Sequence, residues 1–323
     1  MKIHAFAIGF FSICAQAVVF REFLSAFDSN QIAVSLFFFT WLFWIAVSGL
    51  VISRVSKFKS LLAKLPPASL YLYILAVALQ FAIFLFFRDI FGIKQFEFLT
   101  LNQLLIYSFL LNAPTSVLTA CFIQSALLRV GVDEAERLPL FHRIEAFGGL
   151  AGGVFAVLIF SSGGSSLSLF IYSSVILSVL CSFCFKKKYA ILSLNISICV
   201  GIIVALFNLD AEIAEVVSKK KWSRILPIES YHASFSTSHS QYSYGLFYEQ
   251  LHFLKDHGLY ETLPNQEDAA PSLTAAYSQR EKYDNVIVIG ATSNIPLAFS
   301  KKSKVLFFPN DLQYAERAFY ELS

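Results

Sequence analysis

Residues 31–53 read QIAVSLFFFTWLFWIAVSGLVIS, and none of them is charged. As a helix rising about 1.5 Å per residue, such a run crosses the hydrocarbon core of a bilayer, which needs about 20 apolar residues. Similar runs flank it. Seven candidate spans lie at about 4–21, 31–53, 68–87, 101–128, 142–162, 166–185 and 189–208. Beyond them the composition turns to that of a water-facing domain. Over all 323 residues the hydrophobic fraction is 56% and the charged fraction 15%, against about a quarter charged in soluble domains. The expected architecture is an α-helical membrane bundle of about seven transmembrane helices over 1–210. It is followed by a small α/β domain over 211–323, with a β-rich entry and a truncated Rossmann-type unit.

Lys2, the apolar residues after it and Ala15-Gln16-Ala17 have the form of a cleavable signal peptide. We read the segment instead as a retained first helix. Basic residues set the orientation, because they collect in cytoplasmic loops. Lys2, then Arg54, Lys57, Lys59 and Lys64, then Arg129, Arg137 and Arg143, then Lys186, Lys187 and Lys188 fall in alternate loops. With seven spans, that pattern puts the C-terminal domain on the extracytoplasmic side of what is expected to be a bacterial inner membrane. Lys219, Lys220 and Lys221, just after the last span, run against the pattern.

Polar groups inside spans are costly and are functional candidates. Gln16, Arg21, Glu22, His142 and Glu145 form one possible intramembrane polar cluster. Read locally, Arg21 and Glu22 anchor the end of the first helix, and His142 and Glu145, three apart, share a face. Asn112 and Gln124 in the fourth span are read as hydrogen-bonding to neighbouring helices. Gly148, Gly149, Gly152 and Gly153 make two overlapping GxxxG pairs, a surface for close helix packing within the chain or to a partner. Cys181 and Cys184 form a CxxC inside an apolar run and are read as small apolar residues. No basic stripe with interleaved aromatics points to nucleic acid. Neither a metal nor a cofactor is expected.

In the C-terminal part, Tyr231–Phe235 and Tyr242–Tyr248 read as strands or hairpins. Asn285–Ile289, ending at Gly290, and Lys304–Phe308 read as buried parallel strands, and Asp311–Leu322 as an amphipathic helix. The chain at this point resembles the membrane-bound spermidine synthase-like proteins, in which a multi-helix membrane domain precedes an aminopropyltransferase-like domain. The resemblance is carried by Ala15-Gln16, Phe20-Arg21-Glu22-Phe23-Leu24, Asn30, Ser48-Gly49-Leu50, Arg143-Ile144-Glu145 with the glycines after it, Glu229-Ser230-Tyr231 and Val286-Ile287-Val288-Ile289-Gly290. The competing reading is an ordinary strand-and-helix unit without that ancestry.

The resemblance also implies what is missing. Active members carry a GGGDGG turn after the first strand, whereas this chain has Gly290-Ala291-Thr292-Ser293-Asn294-Ile295. The E-I-D-P of the second strand, whose carboxylate binds ribose hydroxyls, is replaced by Leu306, Phe307, Phe308 and Pro309, and leucine accepts no hydrogen bond. Ala270-Pro271-Ser272 stands where a Tyr-His-Glu is expected, and the strand bearing the family's catalytic aspartate does not follow before Ser323. The resemblance thus implies a pseudoenzyme with a degenerate cofactor loop at Gly290–Asn294. The function expected is a non-catalytic membrane subunit that contacts lipid and other protein subunits and scaffolds a complex. Two alternatives stand beside it. One is an aminopropyltransferase or methyltransferase completed by another chain. The other is a transporter lined by Gln16, Arg21, Glu22, Asn112 and Gln124.

Overall fold

Each apolar run within reach of the computed structural model is helical. The structure describes residues 2–27, 31–64, 69–93, 99–130, 137–183, 196, 199, 209–237, 240–255, 258–263, 285–289, 304–309 and 311–322. The helices are α1 (Lys2–Ala26), α2 (Gln31–Arg54), α3 (Ser56–Ala63), α4 (Leu70–Leu85), α5 (Phe87–Ile90), α6 (Leu101–Val130), α7 (Arg137–Ser161), α8 (Ser166–Ser182) and α9 (Leu209–Trp222). Strands β1 (Tyr231–Ser236), β2 (Gln241–Phe247), β3 (Gln250–Lys255), β4 (Gly258–Leu263), β5 (Asn285–Ile289) and β6 (Lys304–Phe308) follow, then α10 (Leu312–Leu322). The chain divides into two compact units, Met1–Ala214 and Glu215–Ser323, with the boundary inside α9.

Among the described residues, four helices are long and apolar enough to cross a membrane: Lys2–Ala26, Ile32–Arg54, Leu101–Leu128 and Pro139–Ser161. Their outward side chains are apolar, with Leu42, Ile106, Leu150 and Val157 each well exposed. A water-facing bundle would present polar residues there. Two of the expected spans come out shorter. Helix α4 has 16 residues and ends where Phe86 leaves helical geometry, with φ −107° and ψ 14°; α8 has 17. Both fall below the length of about 20 that a bilayer asks of an untilted helix. The expected span at 189–208 lies outside the described residues except for Ile196 and Cys199. The same holds for Cys184 of the CxxC.

Ring and backbone contacts fix the relative directions of the helices. Phe6 and Phe10 of α1 meet Gly148 and Gly152 of α7, so α1 and α7 run parallel. Phe11 packs on Tyr73 and Phe23 on Phe84, which makes α4 parallel to α1. Tyr73 packs on Phe122 while Phe87, just beyond α4, packs on Tyr107, which makes α6 antiparallel to α4. Asn112 reaches Thr40, and Gly49 lies beside Gln124, so α2 and α6 run together. In consequence Lys2, Arg54, Lys57, Lys59, Lys64 and Arg143 gather toward one end of the bundle, and Arg21 and Arg88 toward the other.

Helix α1 is the inner element, buried along its length from His4 to Ala26. Its tightest contact is with α7. A Cβ on Gly9 would lie 2.0 Å from the Glu145 carbonyl oxygen, one on Gly148 would lie 2.2 Å from that of Phe6, and one on Gly152 would lie 2.4 Å from that of Phe10. No side chain fits at such separations, so backbone lies on backbone. At the far end of α7, Gly163 takes φ +83°. Gly164 N–H bonds to Ile159 O at 2.9 Å and Gly163 N–H to Phe160 O at 3.1 Å, a Schellman stop. Ser165 then caps α8 reciprocally with Ser168.

The second unit is a four-stranded antiparallel meander, β1-β2-β3-β4, and a separate parallel pair, β5-β6, in which Asn285–Ile289 aligns with Lys304–Phe308. The connection between β5 and β6 lies outside the described residues. Tyr242, Tyr244, Phe253 and Leu263 of the meander form one core with Tyr314 and Ala318 of α10. The β2–β3 turn, Tyr248-Glu249, has φ of 49° and 62°, the sign that a two-residue hairpin turn of type I′ requires.

Alanine at Gly148 or Gly152 is expected to lower the thermal midpoint of the detergent-purified protein, although Gly→Ala within a helix is intrinsically worth up to about 1 kcal/mol. Alanine at Gly153, whose Cβ would meet only Ile13 Cγ2 at 3.8 Å, should leave the midpoint unchanged or raise it. Equal effects at Gly148 and Gly153, read by size-exclusion chromatography of heated samples, would contradict the close α1–α7 contact.

Candidate functional site

The residues singled out from the sequence do not form one cluster. His142 and Glu145 sit near the start of α7, where Nδ1 and Oε2 are 3.2 Å apart on a partly exposed face. Arg21 lies near the other end of the α1–α7 pair, its guanidinium 4.6 Å from the centre of the Phe160 ring. Gly9, beside Glu145, and Arg21 are separated by about 18 Å of α1 at 1.5 Å per residue. The expected cluster is corrected to two interfacial groups at opposite ends, because α1 and α7 are parallel. Glu22 is buried and Gln16 half-buried on α1. Gly148 and Gly152 are consumed by contact with α1, and Gly149 and Gly153 face Ile13 of the same helix. The glycine surface therefore serves the chain itself. The degenerate loop, Gly290, Ala291, Thr292, Ser293 and Asn294, lies outside the described residues.

A different set of polar groups does converge, in the middle of the bundle. On α6, Ser108, Asn112, Thr115, Ser116 and Thr119 recur at spacings of three and four, so they form one stripe down the helix. All five are buried, the first four fully. Ser108 donates to Leu104 O at 2.6 Å, closing on its own helix. Asn112 Nδ2 donates to Thr40 Oγ1 at 2.8 Å and reaches Phe37 O at 3.5 Å on α2. The Thr40 hydroxyl is spent on Leu36 O at 2.7 Å, so it accepts from the amide. This fixes which atom of Asn112 is nitrogen. Thr119 donates to Thr115 O at 2.7 Å and so accepts from the Tyr73 hydroxyl of α4.

Gln80 of α4 is 2% exposed and completes the set. It lies seven residues from Tyr73, within about 20° of it around the helix, while Phe81 is turned about 100° away, onto Phe170 of α8. Along the antiparallel α4–α6 pair, Tyr73 sits at Thr119 and Phe87 at Tyr107. Gln80, midway on one side, stands level with Asn112–Ser116 on the other.

Several atoms of this seam make no hydrogen bond: Gln80 Nε2 and Oε1, Asn112 Oδ1, Thr115 Oγ1 and Ser116 Oγ. Each buried orphan costs about 1–3 kcal/mol, against a total stability of about 5–15 kcal/mol for a folded domain. Together they identify a neutral, hydrogen-bonding interior. Among the described residues no three of His, Cys, Asp and Glu come together as metal ligands do. Of this seam, sequence reading picked out Asn112 alone. The i, i+3, i+4, i+7 spacing of Asn112, Thr115, Ser116 and Thr119 was the available signal.

In the second unit two buried carboxylates, Asp311 and Glu261, are held by hydroxyl donors. Asp311 is 7% exposed and caps α10, with Oδ1 accepting Tyr314 N–H at 3.1 Å. Its Oδ2 accepts from Thr237 Oγ1 at 2.7 Å and from the Tyr242 hydroxyl at 3.2 Å. One carboxylate thus joins α10 to the end of β1 and the start of β2. Tyr314 donates to Glu261 Oε2 at 2.6 Å, and burial, together with that carboxylate, pushes its hydroxyl well above the usual phenol range. His252 is held between Phe247 O at 3.1 Å, which requires a proton on Nε2, and Thr262 Oγ1 at 3.0 Å on Nδ1. Burial lowers its pKa below 6.5.

No protein-family model, no curated protein and no solved structure matches this chain.

Replacing Asp311 with alanine removes a helix cap and the acceptor of two buried hydroxyls, for a loss of about 3 kcal/mol; asparagine keeps the cap and should cost less. Hydrogen exchange of peptides covering 241–255 and 312–322 in the intact protein reads this loss, and similar protection in wild type and Asp311→Ala would refute it. His252 makes a pH-dependent contribution of defined sign. Its folded pKa lies below the unfolded value of 6.5. The unfolded chain therefore takes up the proton first, and stability falls as pH drops below about 6.5. Protection of the β2–β3 hairpin, corrected for intrinsic exchange, should decline from pH 7.5 to 5.5 by more in the wild type than in His252→Gln.

Proposed function

We propose that the protein is a non-catalytic integral membrane subunit, anchored by its helices and docking other protein subunits through its C-terminal unit. The observation that carries this reading is the apolar surface left open on that unit. Leu246 and Tyr248 stand 62% and 84% exposed at the tip of the β2–β3 hairpin. Ile287 and Leu306, directly paired across β5–β6, are 65% and 54% exposed on one face. Aromatic and aliphatic side chains displayed in this way on a small domain are what protein interfaces use. Backbone strain at a tip without glycine also suits a recognition element.

In this proposal residues 189–208 form a seventh span, and the end of the bundle that collects Lys2, Arg54, Lys57, Lys59, Lys64 and Arg143 faces the cytoplasm. The C-terminal unit then lies outside the cytoplasm. Helix α9 bears Asp210 and Glu212 in its first turn and Lys219, Lys220 and Lys221 in its last. That order matches the helix dipole and accounts for the lysines without a cytoplasmic location. The C-terminal unit is read as a relic of the spermidine synthase-like fold, with the parallel β5–β6 pair the remnant of its Rossmann-type sheet. Leu306, at the position of the ribose-binding carboxylate, lies on the open face instead and supports a binding role over a catalytic one.

Purification from native membranes in mild detergent, with a photo-crosslinking residue in place of Tyr248, tests the proposal. The expected result is a fixed stoichiometric set of protein partners, with crosslinks to one of them. A monodisperse monomer with no crosslink from Tyr248 would contradict it. Binding of an adenosyl cofactor by the intact assembly would favour the enzyme reading instead.

A further inference from the structure

We infer that Gln80, Asn112, Thr115 and Ser116 form an internal binding site for a neutral molecule able both to donate and to accept hydrogen bonds. The scaffold reading gives these residues no task, and the inference does not depend on it. Three features of the seam lead to it.

First, the unpartnered atoms belong to side chains that are at most 2% exposed, so bulk water cannot serve them. Second, they stand at one level between α4 and α6. That level is set by the Tyr73–Thr119 hydrogen bond at one end and the Phe87–Tyr107 contact at the other. Gln80 is on the Tyr73 side of α4, and Asn112, Thr115 and Ser116 are on the Thr119 side of α6. Their positions along and around the two helices thus place the four residues on facing sides of α4 and α6. Third, their hydrogen-bonding capacity is mixed. Gln80 Nε2 donates; Gln80 Oε1 and Asn112 Oδ1 accept; the hydroxyls of Thr115 and Ser116 do either. These groups carry no charge, so an ion gains no partner of opposite sign there.

Elsewhere in the bundle open hydroxyls occur singly, at Ser25, Ser166 and Ser174, and most neighbours of the seam are satisfied. Thr40, Ser108, Thr119 and Ser125 all close onto carbonyls at 2.6–2.8 Å. Among the described residues, only the Gln80 level has five open atoms together. A polar group in a hydrocarbon surround finds a partner wherever geometry allows. Here the missing partner has the chemistry of water or of a small uncharged solute, each molecule engaging about three polar groups.

The experiment uses the full chain in lipid nanodiscs and has two readouts. X-ray radiolytic labelling marks residues beside ordered water even where bulk solvent is excluded. Native mass spectrometry detects a retained small molecule as an added mass. The site predicts labelling within residues 108–119, an adduct, or both, and a several-fold loss of that signal in Gln80→Met, which keeps the volume and removes the amide. Labelling without an adduct identifies water; an adduct identifies a solute. Thr115→Val, nearly isosteric, provides the same comparison should Gln80→Met fail to fold. Absence of both signals in the wild type, or their persistence at full strength in the substituted protein, overturns the inference.

Discussion

The contact between the backbones of α1 and α7 is the constraint on which the bundle depends. In a bilayer there is no hydrophobic gain in burying one apolar helix against another, since lipid tails serve as well. What holds helices together there is the density of contact and the hydrogen bonds made between them. Gly9, Gly148 and Gly152 remove every Cβ from the crossing, so two main chains touch. This positions α1 as the inner strut, and aromatic contacts tie α2, α4 and α7 to it. Phe11 meets α4, Phe20 meets α2, and Phe10 meets Phe155 on α7.

On the opposite side of the bundle the same need is met by other means. Helices α2, α3, α4 and α6 approach through side chains of ordinary size, and their specificity comes from hydrogen bonds. Trp44 Nε1 reaches Phe109 O at 2.8 Å, Asn112 reaches Thr40, and Ser125 reaches Leu62 O. Glycine packing leaves no interior space, whereas polar contact at side-chain distance encloses functional groups. The two halves of the bundle thus have different consequences: one is a rigid joint, and the other contains polar chemistry that apolar packing alone would not call for.

The existence of α1, α2, α4, α6, α7 and α8 was legible because uninterrupted apolar runs have few alternatives once lipid is the solvent, whereas α3, α5 and α9, which are short or charged, were not. The packing role of Gly148 and Gly152 was legible too, although the partner, α1, was not: Gly9 is a lone glycine in an apolar run and carries no pattern by itself. The lengths of α4 and α8 were not legible, because hydropathy does not register where Phe86 leaves helical geometry. The polar seam was missed for a related reason. Threonine and serine are common in membrane helices and usually bond to their own backbone, as Ser108 does. That Thr115 and Ser116 do not is a fact of the tertiary packing. In the second unit, the aromatic alternation of β1 and β2 was plain, while β3 and β4, shorter of pattern and interrupted by polar residues, emerged only through the pairing of β3 with β2 and of β4 with β3.

The second unit illustrates how a small domain holds together with little apolar mass. Among the described residues, the cluster that joins the meander to α10 has six buried side chains, three of them tyrosines, too few to fix a helix on a sheet by area alone. Tyrosine suits the task because it brings a large ring together with one polar atom that must be satisfied. Tyr242 stacks on Tyr314 with ring centres 4.6 Å apart, and the two hydroxyls end on different carboxylates, Asp311 and Glu261. Ring stacking sets the distance between β2 and α10, and the carboxylates set the register. A slip of α10 by one residue would leave both acids without their donors. Consequently Asp311, Glu261 and the tyrosines that meet them act as positional restraints inside this unit, whereas Leu246, Tyr248, Ile287 and Leu306 stand exposed and take no part in that order.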